Sequence, residues 1–256
     1  MHYQFATYGN NEISFMLRFE KHPRIDALLW DFDGTLADSA AKNISITKQI
    51  LARVVPRLTG DNMPPCLSSE TDYHVAIHSA NNWRELYRNF FGMTMAEIEM
   101  AGPLWETYQL QDQTPVALFD GIVDTVSSLA HIPQGICSAN ESRTIKRVLE
   151  SHGIAAFFQS VIGYEGLAPE SQKPAPDGGL QCLGDLFDDS NGKTIIYIGD
   201  HISDVLFARN LAARLGPADT VISIAVTYSG ANPAAWSTQT DKVIEKPSDL
   251  TTLLMA

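Results

Sequence analysis

Two aspartates close an apolar run in the stretch LLWDFDGTLADS. Asp31 directly follows Leu28–Trp30, and Asp33 lies two positions further on. In an extended chain, residues two apart point to the same face, so the two carboxylates share one side. Carboxylates placed in this way can bind a hard cation, attack an electrophile or transfer protons. A single D-x-D-G sequence is equally typical of a simple turn, so a functional role needs support from other parts of the chain.

Further polar groups follow apolar runs later in the chain. Ser138 and Asn140 follow one run, Lys173 lies in the loop SQKPAPDG, and Asp200 closes the run KTIIYIGD with Asp204 four residues beyond it. Carboxylates that converge repel one another unless a cation lies between them. Oxygen ligands suit Mg²⁺, and a lysine adds a fixed positive charge that can bind a phosphoryl group. We therefore predict a Mg²⁺ site in which Asp31 and Asp200 are direct ligands.

An alternation of strands and helices explains how these residues could meet. Helical patterns separate short apolar runs, which is typical of parallel strands joined by crossover helices. Ligands of such sheets bind beyond the carboxyl ends of the strands, where all these polar groups lie. The predicted strands are DALLWDF, QGICSA, FFQSVIG, KTIIYIGD and TVISIAV, with DKVI as a further candidate.

The segment from residue 40 to residue 114 differs from this alternation because its patterns are helical. A helix is predicted from Ala40 to Val55, with Pro56 ending it. After a loop over residues 56–71, further helical patterns cover Trp83–Phe91 and Met95–Gln109. Thr94 and Glu97 have the spacing of a capping box. The predicted organisation is an N-terminal extension (1–24), an α/β core (25–39 and 115–256) and an inserted helical cap domain (40–114).

Composition narrows the classes of function. The net charge is −12 and no Lys/Arg cluster occurs, which argues against a nucleic-acid partner. No apolar run is long enough to span a membrane, and the first residues do not resemble a secretion signal. The three cysteines are far apart, which is typical of reduced thiols. We expect a cytoplasmic protein with no membrane partner.

The motifs together resemble the haloacid dehalogenase superfamily of phosphohydrolases. DFDGTLADS resembles its first motif, CSAN its second, QKPAPDG its lysine motif and GDHISD its fourth, in the same order. The helical segment is similar to the type 1 cap of that superfamily. ALFDGIVDTVSSLA resembles the branch that contains phosphoglycolate phosphatase and β-phosphoglucomutase. The resemblance implies a Rossmann-like parallel sheet with an inserted helical cap.

The resemblance also implies a role for each site residue. Asp31 would be the nucleophile and Asp33 the general acid/base. The remaining roles are phosphate binding by Ser138, Asn140, Lys173, Gly34 and Thr35, and Mg²⁺ binding by Asp31, the carbonyl of Asp33, Asp200 and, directly or through water, Asp204.

The expected function is a Mg²⁺-dependent phosphatase that hydrolyses a small soluble phosphomonoester through an aspartyl phosphate. A phosphomutase using the same site is the alternative, and a non-catalytic binding protein of this fold is a third reading. The partner would be a small phosphorylated metabolite, and the oligomeric state stays open. We expect substrate specificity to lie in residues 56–71 and in the stretch TDYHVAIHSANN, whereas His201 is expected to pack or to face solvent.

Overall fold

The computed structural model describes residues 24–188 and 192–255. Its strands are β1 (Ala27–Trp30), β2 (Ala37–Asp38), β3 (Ala117–Leu118), β4 (Gln134–Cys137), β5 (Ser160–Ile162), β6 (Thr194–Gly199), β7 (Thr220–Val226) and β8 (Lys242–Ile244). Its α-helices are α1 (Ala40–Val54), α2 (Glu70–Ser79), α3 (Trp83–Asn89), α4 (Met95–Ala101), α5 (Leu104–Gln111), α6 (Ile122–Ser128), α7 (Ser142–Ser151), α8 (Asp177–Leu186), α9 (Ile202–Leu215) and α10 (Pro247–Met255).

Six of the strands form one parallel sheet in the order β5-β4-β1-β6-β7-β8. This sheet confirms the predicted fold class, and β8 confirms the strand proposed for DKVI. The chain builds outward from β1 to β4 and β5, then crosses back to place β6 on the other side of β1. Such a reversal opens a crevice at the carboxyl ends of the central strands, where ligands of these folds bind.

The central strand β1 is buried on both faces, as its unbroken apolar sequence requires. Its last residue, Trp30, donates from Nε1 to Oε1 of Gln134 at 3.0 Å, and Nε2 of Gln134 donates to the carbonyl of Val126 at 3.0 Å. Gln134 therefore satisfies the indole of β1 and joins β4 to helix α6. These bonds fix the neighbouring strand whose end carries Ser138.

The helices α1 to α5 enclose an apolar cluster of their own, which includes Ile46, Ile50, Leu67 and Ile98. The chain leaves the sheet along β2 and returns along β3, and these two short strands pair antiparallel. This pairing places the exit and the return of the helical segment side by side, directly after the two aspartates of the first motif.

Several elements differ from the sequence-based predictions. The pattern over Met95–Gln109 forms two helices, because Gly102 and Pro103 interrupt it between α4 and α5. Helices α2 and α10 and the pair β2/β3 were not predicted as separate elements. The capping box of Thr94 and Glu97 is present. The predicted extension over residues 1–24 lies, except for Arg24, outside the described residues. No helix within 24–188 and 192–255 is long and apolar enough to cross a membrane.

The buried Gln134 gives a stability prediction. Gln134→Leu should lower the free energy of unfolding by about 1–3 kcal/mol, because it leaves the buried indole N–H of Trp30 without an acceptor. Urea denaturation measures the change. The matched control, Gln113→Leu, changes an exposed glutamine and should stay within about 0.5 kcal/mol of the wild type. Equal losses in the two variants would contradict this account of the Trp30–Gln134 bond.

Candidate active site

The carboxyl ends of the central strands bring the predicted residues together at one edge of the sheet. Asp31 follows β1, Ser138 follows β4 and Asp200 follows β6, while Lys173 comes from the loop between β5 and α8. Asp31, Asp200 and Asp204 are exposed by only 8%, 7% and 3%. Charged groups from distant parts of the chain therefore lie in a nearly dry pocket, where each affects the ionisation of the others.

Lys173 is the cation at the centre of this cluster. Its Nζ donates to Oδ1 of Asp31 at 3.0 Å and also to Oδ1 of Asp204. The same ammonium lies 5.2 Å from the centre of the Tyr197 ring, which is within cation–π range. Burial lowers the pKa of Lys173, but the carboxylates of Asp204 and Asp31 raise it by more, so the pKa lies above its ordinary value. Lys173 therefore stays charged and neutralises part of the cluster.

Asp204 supports the site from the first turn of helix α9. Its Oδ2 accepts the backbone N–H of His201 at 2.9 Å, which completes a capping box, and its Oδ1 accepts from Lys173. The resemblance implied a supporting role at the metal site for this residue, and an acid in the first turn of a helix is also well placed to cap it. The cap is present, and because both carboxylate oxygens already accept hydrogen bonds, Asp204 acts on the cluster chiefly through Lys173.

Asp31, Asp200 and Asp204 offer oxygens that all lie within 4.8 Å of one another. Burial raises the pKa of Asp31 to about 7 against the partly opposing effect of Lys173, and repulsion by Asp204 adds to the rise. Burial, followed by repulsion from Asp204 and Asp31, also raises the pKa of Asp200 well above its ordinary value. One ammonium does not balance these buried carboxylates, and an all-oxygen donor set suits a hard divalent ion. The residues present therefore fit Mg²⁺.

The turn after the first motif needs Gly34 for two reasons. Its φ of 76° lies in the left-handed region, and a Cβ there would lie 2.0 Å from Oδ2 of Asp200. The N–H groups of Gly34 and Thr35 donate to the carbonyls of Ala37 and Phe32. The turn thus gives Asp200 room to approach β1. The N–H groups of Gly34 and Thr35 belong to residues that we predicted to bind phosphate, but here they form hydrogen bonds within the turn.

Asp33 has a different environment from Asp31. Oδ2 of Asp33 accepts from Nδ2 of Asn140 at 2.8 Å, whereas Oδ1 is buried and has no partner among the described residues. Burial raises the pKa of Asp33, although hydrogen bonds from Ser39 and Asn140 offset part of the rise. Ser138 contacts Asn140, because its Oγ accepts the N–H of Asn140 at 3.3 Å. Asp33 therefore holds a proton more readily than an ordinary aspartate.

Three residues that we did not assign also reach this region. His78 of α2 places Nε2 3.5 Å from Oδ2 of Asp200 and 3.2 Å from the carbonyl of Ser229. His201, which precedes α9, contacts the helical segment, with its Nε2 2.7 Å from the carbonyl of Ala80. Burial lowers the pKa of His78 to about 4, so the ring is neutral at pH 7. His78 lies in TDYHVAIHSANN, which we had marked for specificity, but its sequence gave no sign of contact with Asp200. The third residue is Gln109 of α5, which contacts Asn140.

Comparison with known proteins agrees with this arrangement. The sequence pattern of the family described as "Haloacid dehalogenase-like hydrolase" matches residues 28–215. The chain belongs to this family. It is therefore a hydrolase of the haloacid dehalogenase-like type, and the resemblance stated from the motifs is confirmed.

The individual relatives have low sequence identity to this chain. Pyrophosphatase PpaX of Listeria innocua is 26% identical over 231 residues, covering 89% of this chain and 95% of that protein. A phosphoglycolate phosphatase of Pectobacterium atrosepticum is 22% identical over 235 residues, covering 90% and 92%. Among solved structures, a haloacid dehalogenase-like family protein from Streptococcus pneumoniae superposes with a TM-score of 0.66 at 22% identity, covering 89% of this chain and 97% of that one. The structural likeness supports the shared fold.

The contact between Gly34 and Asp200 gives a prediction about metal binding. Gly34→Ala should abolish the increase in melting temperature that Mg²⁺ produces, because the new Cβ would displace the Asp200 carboxylate. Differential scanning calorimetry with and without Mg²⁺ measures this. Gly92→Ala is the matched control, since Gly92 has a φ of 71° and its Cβ would meet nothing within 4 Å. The control should lose about 1–2 kcal/mol of stability through backbone strain but keep the Mg²⁺ effect.

The raised pKa of Asp31 gives a pH prediction for the metal-free protein. Between about pH 4 and pH 7 the unfolded chain ionises this aspartate while the folded chain retains its proton, so stability should fall as pH rises. Mg²⁺ would bind the ionised form, and its stabilising effect should therefore be larger at pH 8 than at pH 5. Melting temperatures at the two pH values, with and without Mg²⁺, measure the difference. A Mg²⁺ effect independent of pH, or unchanged in Asp31→Asn, would contradict this.

Proposed function

We propose that the protein is a Mg²⁺-dependent phosphatase that hydrolyses a small phosphorylated metabolite through an aspartyl phosphate on Asp31. The observation that supports this best is the pairing of a buried aspartate, Asp31, with a half-buried one, Asp33, in different electrostatic settings. Asp31 contacts the charged Lys173 and shares a cluster of carboxylate oxygens with Asp200. Asp33 contacts the neutral amide of Asn140 and has a raised pKa. Two carboxylates with separate environments suit a nucleophile and a general acid/base.

In the first half of the reaction, a carboxylate oxygen of Asp31 attacks phosphorus and the bond from phosphorus to the ester oxygen breaks. The leaving oxygen takes the proton of Asp33, whose raised pKa keeps that proton available. Lys173 neutralises the charge of Asp31 and of the phosphoryl group, and the Ser138 hydroxyl can donate to a phosphoryl oxygen. The products are the free alcohol and a phosphorylated Asp31.

In the second half, water attacks the phosphorylated Asp31. Asp33, now ionised, accepts a proton from that water as its oxygen bonds to phosphorus, and the acyl phosphate bond breaks. Inorganic phosphate leaves, and both aspartates return to their starting states. Asp33 therefore acts in both halves, first as acid and then as base.

Asp31, Asp200 and the carbonyl of Asp33 would hold Mg²⁺, with Asp204 acting through Lys173. When bound, Mg²⁺ supplies positive charge against the transferring phosphoryl group and the attacking carboxylate. The donor set and the excess of buried carboxylates in this chain support this role.

A helical cap over residues 40–114 supports a small substrate. The helices α1 to α5 have an apolar core separate from the clusters beside the sheet, and α2 and α5 supply residues that contact the site. The names of the relatives, a pyrophosphatase and a phosphoglycolate phosphatase, suggest substrates in which a small anionic group is joined to phosphate. Pyrophosphate and 2-phosphoglycolate are therefore the first compounds to screen.

The mutase alternative shares the first half of the reaction and differs in the acceptor. A sugar hydroxyl, rather than water, would take the phosphoryl group from Asp31. The relatives compared above carry the names of hydrolytic enzymes, which supports water as the acceptor. The fate of the phosphorylated enzyme in the presence of a sugar phosphate separates the two.

Substitution of the two aspartates tests the mechanism. Asp31→Asn should reduce Mg²⁺-dependent hydrolysis of 4-nitrophenyl phosphate by a factor on the order of 10³ or more and abolish the phosphorylated enzyme, because the nucleophile is lost. Asp33→Asn should lower turnover by roughly 10²–10⁴ and still form phosphorylated enzyme with this good leaving group. Steady-state rates and acid-quench mass spectrometry measure the two effects.

The control is Asp61→Asn, which makes the same change at an exposed position in the loop after α1. It should match the wild type in rate and in Mg²⁺ dependence. Metal-independent turnover, or full activity in Asp31→Asn, would refute the mechanism. Transfer of the phosphoryl group from the phosphorylated enzyme to an added sugar phosphate, rather than to water, would favour the mutase.

A further inference from the structure

A chain of two amide side chains connects the helical segment to Asp33. Nε2 of Gln109, in α5, donates to Oδ1 of Asn140 at 2.5 Å, and Nδ2 of Asn140 donates to Oδ2 of Asp33 at 2.8 Å. Gln109 is 2% exposed and Asn140 is 8% exposed. The connection is therefore shielded from water, which would otherwise compete for each bond.

The neighbours of Asn140 fix the orientation of its amide. Its Oδ1 accepts two donors, Nε2 of Gln109 and the backbone N–H of Glu141 at 2.7 Å. Rotating the amide by half a turn would set its NH₂ group against these two donors and its oxygen against the Asp33 carboxylate. The surroundings therefore hold the NH₂ group toward Asp33.

This orientation decides how the Asp33 carboxyl group is held. Its Oδ2 accepts from the Asn140 amide at 2.8 Å. Its Oδ1 is buried and has no partner among the described residues. The Asn140 amide therefore fixes the rotation of the Asp33 carboxyl group about its side-chain bond.

Burying Gln109 in this way lowers the stability of the folded protein. Its Oε1 is buried and accepts no hydrogen bond from the described part of the chain, which sacrifices stability. Within residues 24–188 and 192–255, the Gln109 side chain forms a hydrogen bond only with Asn140. A residue kept at this cost, and bonded only to a partner of the general acid, is better explained by the site than by packing.

We propose that Gln109 is a positioning residue of the helical segment that acts through Asn140 to hold the Asp33 carboxyl group in the orientation that serves the leaving oxygen. Gln109 belongs to α5, whereas Asn140 and Asp33 belong to the sheet side of the molecule. The bond from Gln109 to Asn140 therefore requires the helical segment to lie over the site. Protonation of the leaving group is in this way linked to the docking of that segment. This inference rests on the proposed phosphatase function.

Leaving-group dependence tests the proposal, because kcat/KM reports the step in which the ester bond breaks. Phenyl phosphate needs a proton on its leaving oxygen, whereas 4-nitrophenyl phosphate has a leaving group that departs with far less assistance. Gln109→Met keeps the length of the side chain but removes the donor. It should lower kcat/KM for phenyl phosphate about tenfold and for 4-nitrophenyl phosphate less than about twofold. The matched control is Gln111→Met, an exposed glutamine on the same helix, which should change neither value.

A double-substitution cycle adds a second readout. If Gln109 acts through Asn140, the effects of Gln109→Met and Asn140→Ala on phenyl phosphate should not multiply, and the double variant should resemble Asn140→Ala alone. If Gln109→Met fails to fold, Gln109→Glu takes its place, since it keeps the size of the side chain and replaces the donor with an acceptor at Asn140.

The outcomes separate the inference from the function on which it rests. Equal losses on the two aryl phosphates, or effects that multiply in the double variant, would overturn the positioning role while wild-type turnover keeps the phosphatase function intact. If the wild type with Mg²⁺ hydrolyses neither aryl phosphate, the proposed function itself fails.

Discussion

The burial of several carboxylates around a single ammonium group is the constraint on which the site depends. Desolvation raises the pKa values of Asp31 and Asp200, and Lys173 offsets only part of that effect. Two neighbouring features of the fold allow these carboxylates to be buried together. Helix α9 begins at the point where Asp204 can cap it, and Gly34 leaves space for Asp200. A bound divalent cation would relieve the remaining imbalance, because binding would remove a penalty that folding alone leaves in place.

The sheet and the strand-end residues could be predicted because their signals are local. An apolar run that ends in Asp31 or Asp200 is visible in the sequence, and the alternation with helices indicates parallel strands. The capping role of Asp204 was visible for the same reason, since acids favour the first turn of a helix. These features need no knowledge of distant parts of the chain.

The contacts within the helical segment, and those between it and the sheet, could not be predicted in the same way. Strands β2 and β3 are two residues long, too short to show a periodicity. Asp112 looks like an ordinary loop acid, yet its backbone carbonyl accepts from the buried Lys42 and its carboxylate accepts from Ser45 and Gln49. Gln109 ends a helical pattern with nothing to distinguish it from Gln111. Pairings of this kind depend on which distant residues the fold brings together.

The contacts that the helical segment makes near the site, through His78, Gln109 and the carbonyl of Ala80, are neutral, and this matters for the electrostatics of the site. His78 has a pKa of about 4, so at pH 7 it contacts Asp200 without adding a positive charge. Gln109 likewise contacts Asn140 through a neutral amide. The carbonyl of Ala80 contacts the ring of His201. Docking this segment therefore removes water from the carboxylates without neutralising them. Because screening falls as water leaves, the attraction of these carboxylates for a cation and the proton affinity of Asp33 both increase. A cationic segment would have reduced both, so the neutrality of these contacts is itself part of how the site can work.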